Sequence, residues 1–218
     1  MRPATHAGSW YCADSAALAA DMSSWLAAVP QKPEPQQVTP PRAIIGPHAG
    51  FSYSGPTAAY AYMHVKPEGI KRVFVLGPSH HVSLRTCATT ACTSYGTPFG
   101  ELPVDLETTR ALQASGQFNV MSPEVDGAEH SIELHLPFVA YCFRNQAIQL
   151  VPLMVGALTP ALEESFGRII APYLDDADNF FVISSDFCHW GARFDFVRYN
   201  SCCTRSPKHH SEVLQLWY

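Results

Sequence analysis

Four short apolar runs that alternate with segments of helical spacing constrain the fold of this chain more than any other feature of its sequence. The runs cover residues 42–46, 72–76, 148–155 and 179–183. A strand buried on both faces is continuously apolar, whereas a strand with one exposed face alternates apolar and polar residues. The sequence therefore predicts an α/β fold with three layers, in which helices cover both faces of a mostly parallel central sheet.

Helical spacing predicts the covering helices. The segment 15–29 is alanine-rich with apolar residues on one face, and Asp14 or Ser15 is placed to cap it. Further helices are predicted over residues 56–65, 106–115, 131–143 and 160–173. The proline-rich stretch 30–41 is predicted to be a loop, because proline lacks an N–H and disfavours the helical conformation of the residue before it.

Length and composition limit the classes of protein to consider. With 218 residues, 47% of them apolar, the chain is long enough to bury the core of one domain, which we predict over residues 1–199. The net charge of −5 comes from scattered residues, so no nucleic-acid partner is expected. No segment approaches the roughly 20 apolar residues that span a bilayer, and no signal peptide is evident. Seven irregularly spaced cysteines predict reduced thiols and a cytoplasmic location.

Side chains able to bind a metal follow the predicted strands at the point where each strand ends. They are His48, His80, His81, Asp186 and His189. Because ligands of open α/β sheets bind outside the carboxyl ends of the strands, we expect these groups to converge in one crevice. Imidazole and carboxylate groups suit zinc, copper, iron and nickel. The alternative for each residue is a hydrogen-bonded structural role, which for Asp186 would be the cap of a turn.

Within this set the residues receive different predicted roles. His80 is preferred over His81 as a metal ligand, because adjacent residues rarely point into one site, and His81 is then a candidate to support the ligands. Asp186 and His189 are three residues apart, so one helical turn would direct both into the pocket. There they would act as catalytic residues that handle protons.

A second polar cluster, Glu-His-Ser-Ile-Glu, covers residues 129–133. His130 and Glu133 are three apart on a predicted helix, so they could serve as a base or, with Glu129, support the metal ligands. The pattern differs from the His-Glu-x-x-His pattern of zinc proteases. The alternative is an exposed helix start whose acidic residues favour the helix dipole.

Three aromatic residues, Trp10, Tyr53 and Trp190, lie beside histidine or glycine in predicted loops. They could form an aromatic wall for a flat ligand or a peptide side chain. Ordinary core packing is an equally good interpretation.

Five ordered segments of the chain resemble the Memo family, whose members are named as mediators of receptor-driven cell motility. The matching segments are His-Ala-Gly-Ser-Trp-Tyr at 6–11, Pro-His-Ala-Gly at 47–50, Leu-Gly-Pro-Ser-His-His at 76–81, Glu-His-Ser-Ile-Glu at 129–133 and Ser-Ser-Asp-Phe-Cys-His-Trp-Gly at 184–191. The resemblance implies a dioxygenase-like fold, similar to that of the class III extradiol non-haem iron dioxygenases.

The resemblance also implies a function for the pocket. His48 and His80 would be ligands of copper or iron, with Asp186 and His189 beside them, and the metal would support oxidant-generating redox chemistry. Family members are also described as docking phosphotyrosine peptides of receptors at the same pocket. The positions that match this docking are those of Trp10, His48, Tyr53 and His189.

The likeness to the family stops after residue 199, and residues 200–218 are expected to form a divergent tail. The resemblance implies a third metal ligand, a cysteine, in a part of the family pattern that this chain lacks. We do not expect Cys202, Cys203, His209 or His210 to replace it, because ligand geometry tolerates little error. A shortened or aberrant reading frame is the expected explanation, with an exposed sheet edge as its consequence.

Three functions remain open on the sequence. The first is a metal-dependent oxidoreductase linked to cell-motility signalling, with a small-molecule substrate that the sequence does not name. The second is a non-catalytic adaptor that binds phosphotyrosine peptides in the same pocket. The third is a metal hydrolase, which the ligand types allow but for which no nucleophile or base pattern is present.

Overall fold

The computed structural model describes residues 1–30, 40–186, 189, 192–194 and 197. By its internal contacts the chain divides into two units, Met1–Ser185 and Asp186–Tyr218, which are described separately. The predicted loop at 30–41 falls mostly on residues 31–39, outside the described residues. The predicted boundary at residue 199 stays a prediction.

A six-stranded sheet forms the centre of the first unit, in the order β1-β8-β2-β7-β3-β6. All neighbouring pairs are parallel except β3 and β7, which are antiparallel. A separate antiparallel pair consists of β4 and β5. The strands are β1 Ala43–Gly46, β2 Arg72–Pro78, β3 Cys87–Thr89, β4 Ser94–Thr97, β5 Gly100–Pro103, β6 Phe118–Val120, β7 Gln149–Val155 and β8 Asn179–Ser184. The mostly parallel α/β sheet is confirmed, and its four predicted strands are β1, β2, β7 and β8.

Helices cover both faces of this sheet. They are α1 Ser15–Ala28, α2 Phe51–Tyr62, α3 Leu106–Ala114, α4 Pro123–Ala128, α5 Leu136–Cys142 and α6 Pro160–Asp175. Successive residues of β2 point to opposite faces, so Val73 and Val75 join a core with α1, α2 and α5, whereas Phe74 joins a core with α3 and α6. Burial on both faces explains why the central strands are continuously apolar in sequence.

The helix ends follow the capping chemistry of the sequence. Asp14, one of the two predicted caps of α1, accepts a hydrogen bond from the Ala17 N–H. Thr159 caps α6 in the same way, with Pro160 in the first turn. Among the described residues no helix is long and apolar enough to cross a membrane.

Helix α2 begins at Phe51, five residues before the predicted start at Pro56. The prediction places Gly55 at the end of the preceding loop and Pro56 at the start of the helix, but both lie inside α2. A Cβ on Gly55 would come within 2.5 Å of the Trp25 ring, so the glycine lets α1 and α2 pack closely. The packing of α1 on α2 therefore outweighs the local preference of this segment for a turn.

The helix predicted at 131–143 is divided in the structure. A 3₁₀ turn, Glu133–His135, leads into α5, and Pro137 lies in the first turn of that helix. Proline is tolerated in a first turn but not in a helix interior, which explains where α5 begins. The predicted apolar face is buried as expected and consists of Ile132, Leu136, Val139 and Phe143.

Candidate metal centre

Two predicted ligands meet where β1 and β2 end. Both strands run parallel to β8, which lies between them, so the segments that follow them emerge at the same edge of the sheet. His48 and His80 each lie two residues beyond a strand end, and their ring centroids are 5.1 Å apart. His48 is buried, whereas the His80 side chain is 36% exposed. The predicted convergence of these two imidazoles is therefore observed, with one side accessible to a ligand.

A third imidazole, that of His130, joins them. Its ring centroid lies 4.5 Å from that of His80 and 5.4 Å from that of His48. One potential ligand atom from each of the three histidines lies within 4.8 Å of the other two, close enough for all three to hold one metal ion. His130 comes from the turn between α4 and the 3₁₀ turn. The sequence suggested it only as a base or a supporting residue.

Hydrogen bonds determine which nitrogen of His48 carries its proton. The Ser184 hydroxyl donates to the Ser131 carbonyl at 2.7 Å, and its oxygen lies 2.7 Å from Nδ1 of His48. Because a hydroxyl has one hydrogen, Ser184 must accept from the Nδ1–H of a neutral or protonated imidazole. In the neutral ring Nε2 then carries the lone pair that a metal requires.

His80 is oriented by a buried carboxylate. Its Nδ1 lies 2.9 Å from Oε1 of Glu129, and its backbone N–H donates to Oε2 at 2.6 Å. The backbone N–H groups of His130 and Ser131 each donate to Oε1 at 2.9 Å. A carboxylate that accepts from Nδ1–H fixes the ring and increases the basicity of Nε2, as is usual for metal-binding histidines. Glu129, predicted as a supporting residue, thus holds one imidazole and the turn that carries another.

Aromatic and imidazole side chains border the cluster. The Trp10 ring, 37% exposed, lies 4.5 Å from the His130 ring and 5.6 Å from that of His6. His81 is exposed, and its ring centroid lies 5.9 Å from that of His130. Tyr53 does not lie in a loop as predicted but on α2, where 82% of its surface is exposed, so core packing does not account for it. Trp190 lies outside the described residues.

Glu133 lies beneath the amino-terminal segment. Its fully buried carboxylate accepts hydrogen bonds from the side chains of Arg2, His6 and Tyr11. These bonds occupy both of its oxygens, with Oε2 bonded to Arg2 and His6 and Oε1 to Tyr11. The sequence reading gave no role to Arg2 or His6, because nothing in the local pattern links them to residues more than 100 positions away.

Asp186 and His189 belong to the second unit. There Nε2 of His189 lies 2.8 Å from Oδ2 of Asp186, and the His189 ring stacks on Phe194 with centroids 4.6 Å apart. The two side chains are hydrogen-bonded to each other, whereas the predicted helical turn that would direct both into the pocket includes residues 187 and 188, which lie outside the described residues. Their convergence with His48 and His80 stays a prediction.

Comparison with known proteins identifies the relatives of this chain. A family model described as "Memo-like protein" matches residues 2–215. The chain belongs to the Memo family. It is 45% identical over 201 residues to Protein MEMO1 of Xenopus laevis, a match that covers 91% of this chain and 66% of the relative. It is 44% identical to Protein MEMO1 of Homo sapiens with the same coverage. The match to the Protein memo-1 homolog of Caenorhabditis elegans, 45% identical, covers 91% of this chain and 55% of the relative.

This chain therefore spans slightly less than two thirds of the length of the vertebrate Memo proteins that it matches. The family resemblance implied two histidines and a cysteine as metal ligands. Among the described residues the third group within reach of His48 and His80 is the imidazole of His130. Three nitrogen donors form a set that suits copper, iron or zinc.

Burial and neighbouring charges keep this cluster ready to bind a metal. The pKa of His130 falls to about 4, because burial and repulsion from His80, His48 and His6 disfavour the charged ring. Together these effects outweigh the attraction of the ring to Glu129. Burial raises the pKa of Glu129, but hydrogen bonds from Ser131 and His80 outweigh it and lower the pKa to about 2. At neutral pH Glu129 is thus charged and can accept hydrogen bonds, and His130 is neutral, the state in which an imidazole can bind a metal.

Replacing Glu129 by glutamine is expected to destabilise the apo protein by about 1–3 kcal/mol at pH 7, because an amide cannot accept all of the donors at this turn. The folded-state pKa of about 2 lies below the ordinary value of 4.5. The stabilisation by the carboxylate is therefore present above pH 4.5 and is lost as the pH falls from 4.5 towards 2. Urea unfolding at several pH values would measure this, with exposed Glu68→Gln as the control. A difference between wild type and Glu129→Gln that does not change with pH would contradict this account.

Proposed function

We propose that this chain is a metal-dependent redox protein of the Memo family that acts in cell-motility signalling, with copper or iron held by His48, His80 and His130. The observation that carries the proposal is the approach of three potential ligand atoms, one from each histidine, to within 4.8 Å of one another. The set contains imidazole nitrogens and no carboxylate, which favours first-row transition metals over magnesium or calcium.

The residues around the three histidines support this proposal. Ser184 and Glu129 each accept from an Nδ1–H, which leaves Nε2 of His48 and of His80 as the donor atoms. The low pKa of His130 keeps its ring neutral at physiological pH. A copper or iron ion held there would supply one-electron chemistry with oxygen.

We propose Asp186 and His189 as the pair that moves protons. Asp186 holds the Nε2–H of His189 at 2.8 Å, so Nδ1 is the atom that can take up or release a proton. An imidazole oriented by a carboxylate is a common arrangement for a general base.

Metal analysis and oxygen consumption test the proposal. We expect the purified chain to bind one copper or iron ion and, with a reductant, to consume oxygen in a way that a chelator abolishes. The matched control is the variant in which His48 and His80 are both alanine, which should retain the fold but bind no ion at this site. Equal metal content in the wild type and the double variant would refute the metal site. A bound metal without oxygen consumption would refute the redox role alone.

A second candidate function is an adaptor for phosphotyrosine peptides at the same pocket. It is favoured by the exposure of Trp10, 37%, whose ring lies 4.5 Å from that of His130, and by the 82% exposure of Tyr53 on α2. Isothermal titration with a phosphotyrosine peptide and its unphosphorylated form separates the two functions. Binding that requires the phosphate, survives chelation and is lost in Trp10→Ala would favour the adaptor.

A further inference from the structure

The amino-terminal segment contains a buried cation whose hydrogen bonds converge on one turn. The Arg2 side chain is 2% exposed. Its Nε donates to the backbone carbonyl and to Oδ1 of Asp126 at 2.9 and 3.0 Å, and its Nη1 donates to Pro3 O at 3.1 Å and to Oε2 of Glu133 at 2.6 Å. Its Nη2 donates to the carbonyl of Glu129 at 2.7 Å. Arg2 therefore binds the segment just before and just after His130.

Glu133 completes this arrangement from the other side of His130. Besides the bond from Arg2 it accepts from the backbone N–H and the Nδ1 of His6, both at 2.8 Å, and from the Tyr11 hydroxyl at 2.8 Å. Between His6 and Tyr11 lies Trp10, whose ring faces that of His130 at 4.5 Å. The same carboxylate thus fixes both the end of the turn and the segment that carries Trp10.

The opposite side of the turn rests on the sheet. The Ser131 hydroxyl donates to the carbonyl of Pro78 at 2.7 Å, and a Cβ on Gly77 would come within 2.5 Å of that hydroxyl oxygen. The turn 129–131 is therefore held between β2 and the amino-terminal segment. Ser131 and Glu129 bond the turn to the β2 side, whereas Arg2 and Glu133 bond it to the amino-terminal segment, so both sets of bonds fix its position.

We infer that Arg2 and Glu133 are positioning residues for the metal centre, which hold His130 at ligand distance from His48 and His80. The inference rests on the proposed metal site. A buried ion pair commonly contributes little net stability compared with apolar residues of the same volume, so stability alone does not explain the pair. Fixing the direction of a ligand does explain it, because loss of the groups that orient metal ligands typically lowers metal affinity by about 10–100-fold.

Pulsed electron paramagnetic resonance with Cu²⁺ tests this inference, because it counts the coordinated imidazoles. We expect three in the wild type and two in His130→Ala. Glu133→Gln, which preserves the shape of the side chain, and Arg2→Lys, which preserves the charge, should each give the spectrum of His130→Ala. Each should also raise the Kd for Cu²⁺ by about 10–100-fold. Circular dichroism would confirm that each variant is folded at the temperature of the measurement.

Arg72→Met is the matched control. Arg72 pairs with Asp105 at 2.6 Å, at the opposite end of the strand that leads to His80. This variant should lose stability but keep three imidazoles and the wild-type Kd. Three imidazoles and an unchanged Kd in Glu133→Gln and Arg2→Lys would overturn the inference. Unfolding of both variants would also overturn it, because Arg2 and Glu133 would then stabilise the whole domain and not the direction of His130 alone. If His130→Ala instead gives the same spectrum as the wild type, His130 is not a ligand, and both the proposed ligand set and the inference are refuted.

Discussion

Replacing His80 by alanine is expected to lower the affinity for Cu²⁺ by about 100-fold or more. Structural Zn²⁺ sites of zinc-finger peptides gain about 10–16 kcal/mol from binding, so each of four ligands contributes about 3 kcal/mol or more, and we expect a similar share for Cu²⁺ here. Loss of the His80 ring also removes the donor that Glu129 holds at 2.9 Å, although the backbone N–H of residue 80 can still donate to that carboxylate. The affinity is measured by titration against a competing chelator.

His81→Ala is the control for this prediction. His81 has the same side chain one position further along, but it is exposed and its ring lies 5.9 Å from that of His130. Its removal should change the Kd by less than about threefold, which corresponds to about 0.6 kcal/mol. Equal losses in the two variants would show that the metal binds to exposed imidazoles in general and would contradict the assignment of His80.

The position of His48 and His80 could be predicted because it follows from the periodicity of the strands. β2, β7 and β8 are largely buried, so they appear as apolar runs, and the edge strand β1 is apolar as well although Ile45 is exposed. A residue two positions beyond a parallel strand must lie at its carboxyl edge. The sequence did not reveal that β8 lies between β1 and β2, since strand order depends on long-range packing. The convergence of His48 and His80 at the carboxyl edge of the sheet can therefore be predicted without knowing which strands are neighbours.

The place of His130 could not be predicted in the same way. It lies in an irregular turn, and the turn takes its position from Glu129 and from Arg2, which is more than 120 residues away in sequence. The short strands β3 to β6, of three or four residues each, have too few positions to show a period. Gly55 illustrates the opposite problem, because its local signal for a turn is clear but the packing of Trp25 overrides it.

The largest loss of stability among the variants considered is expected for Arg2→Met. Removal of the guanidinium leaves the carboxylates of Asp126 and Glu133 buried without their cation, at 3% and 0% side-chain exposure. Breaking a buried pair from one side typically costs about 3–5 kcal/mol. For a chain of this size about 2–4 °C of Tm is lost per kcal/mol, so thermal unfolding should begin roughly 6–20 °C lower. Arg72→Met, which breaks a partly exposed pair, should cost only about 1 kcal/mol.

The pH dependence of Arg2→Met distinguishes unpaired charge from lost packing. Burial raises the pKa of Glu133, but Arg2 and His6 outweigh it and hold the pKa below its ordinary value of 4.5. A lowered folded-state pKa gives stability that is present above pH 4.5 and is lost as the pH falls below it. The gap in unfolding free energy between wild type and Arg2→Met should therefore narrow in acid. Neutralising the carboxylate in Arg2→Met/Glu133→Gln should likewise cost less than the sum of the single changes. If the losses of unfolding free energy in the two single variants add up in the double variant, and the difference between wild type and Arg2→Met does not change with pH, Arg2 acts only through its packed volume.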